Sequence, residues 1–346
     1  MLENADYGSI GDLGEFKLIE ELTKAIEIKQ SSTVKGIGDD AAVIDAKDKQ
    51  IVVSTDMLME GVHFDLSYSP LKHLGYKAIT INLSDIYAMN AEPTQVLVSM
   101  ALSSKFTLEA VEALYSGMRL ACDTYGVDLV GGDTTSSRTG LALSITAMGI
   151  VEPSKISYRS GAKENDLIVV SGDLGGAYMG LQVLEREKQV FQAASTVQPD
   201  LAGYDYILER QLKPEPRADM IRLFEELKIT PTAMIDVSDG LASELLHLGK
   251  ASNCGVTIYE NKLPLDPVTI RAIEEFKMDP NTVALNGGED YELLFTIPQS
   301  DFEKIEFRED MHVIGHVTAN QTGNYMVTTS GSQLELKAQG WNHFRD

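Results

Sequence analysis

Cysteine is scarce in this chain of 346 residues: only Cys122 and Cys254 occur, far apart and without a CxxC or zinc spacing. That argues against a disulfide framework, and each reads as a buried small apolar residue. Positive charge is short as well. Against 52 Asp and Glu stand 29 Lys and Arg, a formal charge of -23, and such a field repels a nucleic-acid backbone, so nucleic acid is not expected as a partner. No apolar run approaches membrane-spanning length, and Met1 to Gly14 is polar without a hydrophobic signal segment. No membrane partner is expected, and the expected setting is the cytoplasm. Equally absent are GxxxxGK[ST], a kinase-like HRD or DFG set and GxSxG. With no covalent nucleophile in view, direct transfer is the expected chemistry.

What the chain does have is aspartate at the ends of apolar stretches. IVVSTD stops on Asp56, AITINLSD on Asp85, VDLVGGD on Asp133 and TAMIDVSD on Asp239, each after small hydroxyl or glycine residues. Carboxylates placed where buried elements surface can converge on one point, and Mg2+ takes oxygen ligands from carboxylates, water and substrate phosphate. The negative field would repel ATP or a phosphate ester, so phosphate chemistry fits this composition only with bound cations. Most other acids, such as Glu20, Glu21 and the run from Glu185 to Lys188, read as solvated surface.

The length suits two domains, and 43% hydrophobic with 23% charged residues is ordinary for a globular protein. Residues 15–29 carry apolar side chains at helical spacing, GIGDDAAVI reads as a turn into a strand, and KQIVVSTD reads as a second strand. From Leu71 to Ala91 two periods compete: Ile79, Ile81 and Leu83 alternate, whereas Leu74, Ala78, Ile81, Asp85 and Met89 share a helical face. Length predicts a helix there, ended by Pro93. QVLVSMAL is a strand, and TLEAVEALYSGMRLACDTYG is an amphipathic helix with Thr107 as N-cap and Gly126 just past its end. VDLVGGD and LALSITAMGIV add two strands, which gives an α+β domain over residues 1–151. Residues 152–346 form a second α+β domain, with LIVVSG, TAMIDV, GVTIY, YELLFTI, HVIGHV and YMVTT as strands among helices.

Each motif admits a plain and a chemical reading. Asp39 and Asp40 follow two glycines, as turn residues do and as residues near a ligand do. Ser54, Thr55, Asp56 and His63 crowd one short segment, and hydroxyl beside carboxylate is a magnesium arrangement next to nucleotide phosphates. Asp85 sits in an apolar run, where its charge demands a partner or a metal. Asp133 follows Gly131 and Gly132, as in a hairpin turn or a phosphate approach. Asp236 and Asp239 bracket Ser238 before a helix, so Asp239 is a candidate N-cap as well as a ligand. SGDLGG has glycine enough for phosphate contact but does not fit GxGxxG. Glu289 in GGED reads alone as a turn residue.

Taken in order, GIGDDAAVI, STDMLMEGVHF, YKAITINLSDIYAMNAEP, VGGDTT, YRSGAK, MIDVSDGL and GGEDYEL resemble thiamine-monophosphate kinase. That family belongs to a superfamily with aminoimidazole ribonucleotide synthetase, selenophosphate synthetase and a hydrogenase maturation factor. The resemblance runs from about Gly14 to Phe344, and STD…EGVHF with GGEDYEL separates the kinase from its superfamily. It implies ATP-dependent phosphorylation of thiamine monophosphate to thiamine diphosphate. It implies magnesium ligands at Asp40, Ser54, Thr55, Asp56, Asp85, Asp133, Asp236 and Asp239. ATP contacts are implied at Tyr115, Gly132, Asp133, Arg159 and Ser238, and thiamine monophosphate contacts at His63, Glu289 and Trp341, the one tryptophan. The implied fold is a two-domain aminoimidazole ribonucleotide synthetase-like α+β architecture, whose N-terminal domain forms a barrel with its counterpart in a homodimer while the second domain closes the nucleotide cleft. The competing readings are another ATP-using superfamily enzyme, such as a purine-pathway ligase or selenophosphate synthetase, and a non-catalytic acidic metal binder. The missing N-terminal reactive cysteine argues against selenophosphate synthetase, STD…EGVHF against both enzymes, and the absence of EF-hand spacing against the metal binder.

Overall fold

The structure is a computed structural model that describes residues 33–35, 39–40, 42–46, 48–103, 106–193 and 198–339. The expected helix over 15–29 and Trp341 lie outside the described residues.

The first half builds one sheet from β1 (Thr33–Lys35), β2 (Ala42–Ala46), β3 (Lys49–Met59), β4 (Glu92–Ser103), β5 (Asp128–Ser137) and β6 (Ala142–Val151), in the order β1-β2-β3-β6-β4-β5. Helix α1 (Leu71–Ala88) joins β3 to β4, and α2 (Leu108–Tyr125) is the crossover that the parallel β4–β5 pair requires. The order of elements from β2 to β6 is the predicted one. Both caps of α2 are also where the sequence puts them: the Thr107 side chain accepts from the Ala110 N–H, and Gly126 turns left-handed at φ 67.

Helix α1 settles the competing periods by being buried nearly all round. It packs on β3, β6 and α2 and also on the second sheet's β8 (Ala233–Asp236), so it has no solvent face to carry an amphipathic pattern. Its contact with α2 is backbone on backbone. A Cβ at Gly75 would stand 2.0 Å from the Leu114 carbonyl oxygen, and one at Gly117 1.9 Å from that of Lys72. The helix ends at Ala88, before Pro93, which lies inside β4. There the β4–β6 register shifts between Pro93 and Gln95, and pairing with β5 begins only at Gln95, so the missing N–H is tolerated.

The second half holds a seven-stranded sheet with β7 (Leu167–Ser171), β8, β9 (Cys254–Tyr259), β10 (Leu293–Ile297), β11 (Met311–Ala319), β12 (Asn324–Val327) and β13 (Gln333–Glu335), in the order β13-β12-β9-β11-β7-β10-β8. Among the described residues its helices are α3 (Gly176–Ala193), α4 (Asp205–Leu212), α5 (Ala218–Leu227), α6 (Leu241–Ser252), α7 (Pro267–Phe276) and α8 (Pro280–Asn286). The α+β fold class is thus as expected. No helix is long and apolar enough to cross a membrane among the described residues. Cys122 and Cys254 are free thiols, both buried.

Candidate active site

Strand β3 turns alternate residues inward: Val52 and Leu58 enter the core, and between them Ser54 and Asp56 lie on the same face. Helix α1 meets that polar stretch with Asn82, Ser84 and Asp85. The Ser54 hydroxyl donates to Asp85 Oδ2 at 2.5 Å, and the Asp56 N–H donates to Asn82 Oδ1 at 3.0 Å. From the second half, β8 ends on Asp236, whose Oδ2 accepts from the Ser84 hydroxyl at 2.6 Å. Asp40 arrives from the turn before β2. Four segments far apart in sequence thereby meet, and oxygens of Asp40, Asp85 and Asp236 lie within 4.8 Å of one another.

Three carboxylates this close cannot all ionise cheaply. Burial, reinforced by Asp56, Asp236 and Asp40, pushes Asp85 well above the usual carboxylate range. Burial pushes Asp40 up to about 7 against the pull of Arg159, and Asp236 up to about 6 against its hydrogen bond from Ser84. Arg159 donates through Nε to Asp40 Oδ1 at 2.9 Å, and its backbone N–H donates to Asp39 Oδ1 at 3.1 Å. Asp40 Oδ2 is buried with no hydrogen-bond partner. Hard oxygen donors, mutual repulsion and an orphaned buried oxygen suit a divalent cation such as Mg2+.

Asp239 lies beside this cluster but does not cap the helix that follows. The N-cap of α6 is Gly240 at φ 118, a conformation closed to aspartate. Instead the Asp239 N–H donates to Glu244 Oε1 at 3.0 Å, and burial, with Asp239 adjacent, raises Glu244 well above its ordinary range. Behind this segment lies the GGEDY loop. The Glu289 N–H donates to the Ser238 carbonyl at 2.6 Å and the Tyr291 N–H to that of Val237 at 2.8 Å. Glu289 and Tyr291 both hold positive φ, 57 and 51, so β10 begins at Leu293 and not at Tyr291. Burial, together with Glu289, Asp56, Asp236 and Asp239, raises the Tyr291 hydroxyl far above its usual range.

His63 Nδ1 accepts the Met59 N–H at 2.9 Å, which in the neutral ring leaves the proton on Nε2. Its loop is tied to α3 by Lys188 on Asp65 at 2.7 Å and by the Tyr68 hydroxyl donating to Glu185 at 2.6 Å. The SGDLGG loop is answered from within the chain, since the Gly175 N–H donates to Asp290 Oδ2 at 2.8 Å.

Other expected residues stand apart. The Thr55 hydroxyl, on the opposite face of β3, donates to the Ile145 carbonyl at 2.9 Å. Asp133 is exposed on β5 in the row Met57–Ser144–Ser99–Asp133, the face opposite Asp56. Gly132 answers a packing need, because a Cβ there would stand 1.7 Å from the Val98 carbonyl oxygen. Tyr115 is half-buried against the first core. Residues that sequence reading missed are Lys77, Asn82, Ser84 and Glu244, all buried. Their signal is polarity inside or beside a run with no exposed face.

This arrangement, strands and one buried helix delivering acids from both halves to one point, defines a class. Residues 38–151 match the family model "AIR synthase related protein, N-terminal domain". Over 341 residues the chain is 37% identical to the thiamine-monophosphate kinase of Bacillus subtilis, covering 96% of this chain and all of that one. It is 34% identical to that of Escherichia coli K12, covering 96% and 98%. A solved structure described as AaThiL complexed with AMPPCP and TMP superposes with a TM-score of 0.84 at 31% identity, covering 98% of this chain and 100% of that one. The chain belongs to the thiamine-monophosphate kinase family.

Proposed function

We propose that this chain transfers the terminal phosphoryl group of ATP directly to the phosphate of thiamine monophosphate, giving thiamine diphosphate and ADP. Membership in the kinase family supports the reaction, and so do the AMPPCP and TMP bound by the structural relative. The observation that carries the reading is the meeting of Asp40, Asp85 and Asp236. In this reading Asp40, Ser54, Asp56, Asp85, Asp236 and Asp239 would hold Mg2+, while Thr55 and Asp133, on the other face of the sheet, stand outside this set. Bound Mg2+ supplies positive charge between two phosphate anions.

The chain's own residues do the rest. Arg159 holds Asp40 and Asp39 in place beside the ATP site, where Ser238, Tyr115 and Gly132 are also assigned. His63, Glu289 and Trp341 are assigned to the acceptor. One acceptor phosphate oxygen forms a bond to the γ-phosphorus as the bond to the ADP oxygen breaks. That acceptor is already ionised near neutrality, so no side chain has to remove a proton; alignment and charge stabilisation account for the rate.

Residues 1–151 are proposed as the metal-, ATP- and dimer-forming domain, and 152–346 as the one that closes the cleft. The outer face of the first sheet supports a homodimer, since it exposes Met57 (58%), Met59 (36%) and Val130 (54%). Two unpaired thiols accord with a reducing cytoplasm.

The test is to incubate the protein with ATP, Mg2+ and thiamine monophosphate and separate the thiamine products. Thiamine diphosphate formed only with magnesium and matching the ADP released is the expected result. ADP without thiamine diphosphate would move the acceptor to another substrate, and no ADP would remove the reaction altogether.

A further inference from the structure

Helix α1 carries a lysine among apolar neighbours. Lys77 is 5% exposed, and its ammonium leaves the first half to reach Glu289 Oε1 at 2.8 Å and the Gln211 carbonyl at 2.9 Å. Gln211, equally buried, donates through Nε2 to Glu289 Oε2 at 2.9 Å. Each oxygen of Glu289 is therefore held by its own donor, although 32% of the side chain remains open to solvent. Its backbone is held as well, in a left-handed conformation that costs about 1 kcal/mol or more and persists only where the surroundings enforce it.

An ammonium buried this deeply is expensive unless paired, and an apolar side chain would fill the same space without that cost. The arrangement thus fixes the direction of one partly open carboxylate. We propose that Lys77 is a positioning residue for the phosphoryl acceptor: with Gln211 it sets how Glu289 is presented to thiamine monophosphate. This rests on the reading of Glu289 as a contact of that substrate. Lys77 and Asp85 lie eight residues apart on one helix, about 12 Å along its axis, and Ser84 of the same helix holds Asp236. One rigid rod therefore links the acid assigned to the acceptor with the acids assigned to the phosphates. Tyr76 pins that rod by donating to Glu215 at 2.6 Å, a carboxylate that Tyr125 and Lys213 also bind. Rotation of α1 about its axis would break the Tyr76 and Lys77 holds together.

The experiment measures kcat and both KM values, with thermal unfolding, for Lys77→Met, Glu289→Gln and the double variant. Lys77→Met is expected to raise KM for thiamine monophosphate about tenfold and KM for ATP less than about twofold. It is expected to add nothing beyond Glu289→Gln, because both act through one carboxylate. Lys77→Arg should recover part of the loss. If Glu289→Gln raises that KM and Lys77→Met does not, the positioning role is overturned while the substrate assignment stands. If neither variant moves it, the assignment of Glu289 falls and takes the proposal with it. Equal rises in both KM values, tracking a lower Tm, would make Lys77 purely structural and also overturn the proposal. If Lys77→Met does not fold, Gln211→Leu removes the second hold without stranding a charge, and the same split between the two KM values decides.

Discussion

Glu292 and Asp85 are both acids enclosed by protein, and the chain treats them in opposite ways. Glu292, 1% exposed, receives Arg210 on Oε1 at 2.9 Å, with Arg217 at 2.6 Å and the Ser171 hydroxyl at 2.5 Å on Oε2. Asp85 receives one hydroxyl, from Ser54, and faces the carboxylates of Asp40, Asp56 and Asp236. The arginine near that cluster binds Asp40 and Asp39. Burial alone therefore does not distinguish these two acids; the supply of counter-charge does. Both oxygens of Glu292 are answered within the chain, whereas the Asp85 cluster carries a repulsion that a bound cation would relieve.

The sharpest way to break this contrast is Asp85→Asn. We expect kcat to fall by about a thousandfold or more, while the Tm of the metal-free protein rises because the cost of keeping a buried carboxyl protonated is gone. A lower Tm would place Asp85 with the structural acids. Glu292→Gln should do the reverse, costing about 3 kcal/mol in chemical denaturation because two half-buried arginines lose a shared carboxylate, although Arg217 keeps Asp219 and Arg210 keeps Asp290. A loss under about 1 kcal/mol would mean that the arginines do not depend on it.

pH sharpens the same point. Asp40 at about 7 and Asp236 at about 6 both lie above the ordinary 3.8, so the folded chain holds these protons more tightly than the unfolded chain does. Their contribution to metal-free stability is complete below the unfolded value and is lost as pH rises through about 6 to 7. Saturating Mg2+ should accordingly raise Tm more at about pH 8 than at about pH 5.5, because only the ionised acids bind it. Equal gains at both values would disconnect these acids from the metal. The smallest effect expected is that of Ser84→Ala, about 1–2 kcal/mol for a hydrogen bond to a buried carboxylate, read by urea unfolding. No change would mean that Asp236 is oriented by other contacts.

Local chemistry in this chain is legible at single residues: Thr107 and Gly126 bound α2 because capping depends on near neighbours. The aspartates themselves were visible, but Asp56, Asp85 and Asp133 lie within β3, α1 and β5 and not at their ends, and strand alternation alone separates Thr55 from Ser54 and Asp56. The face of Asp133 was not legible, because the β4–β5 register shifts between Val96 and Leu97 and each shifted residue reverses a side chain. Nor was the role of Lys77 or Ser84, whose partners lie 134 and 152 residues away. Asp239 had the right type and place for a cap, but the chain turned at Gly240.

Helix α1 belongs to two interiors at once. Leu74, Ile79 and Leu83 pack with the first sheet, and Ala88 packs with Val169, Met220 and Phe224 of the second half. Neither half has a finished interior without the other. Melting should therefore pass through a single cooperative transition, and the backbone amides of α1 should exchange with solvent only when the whole chain opens.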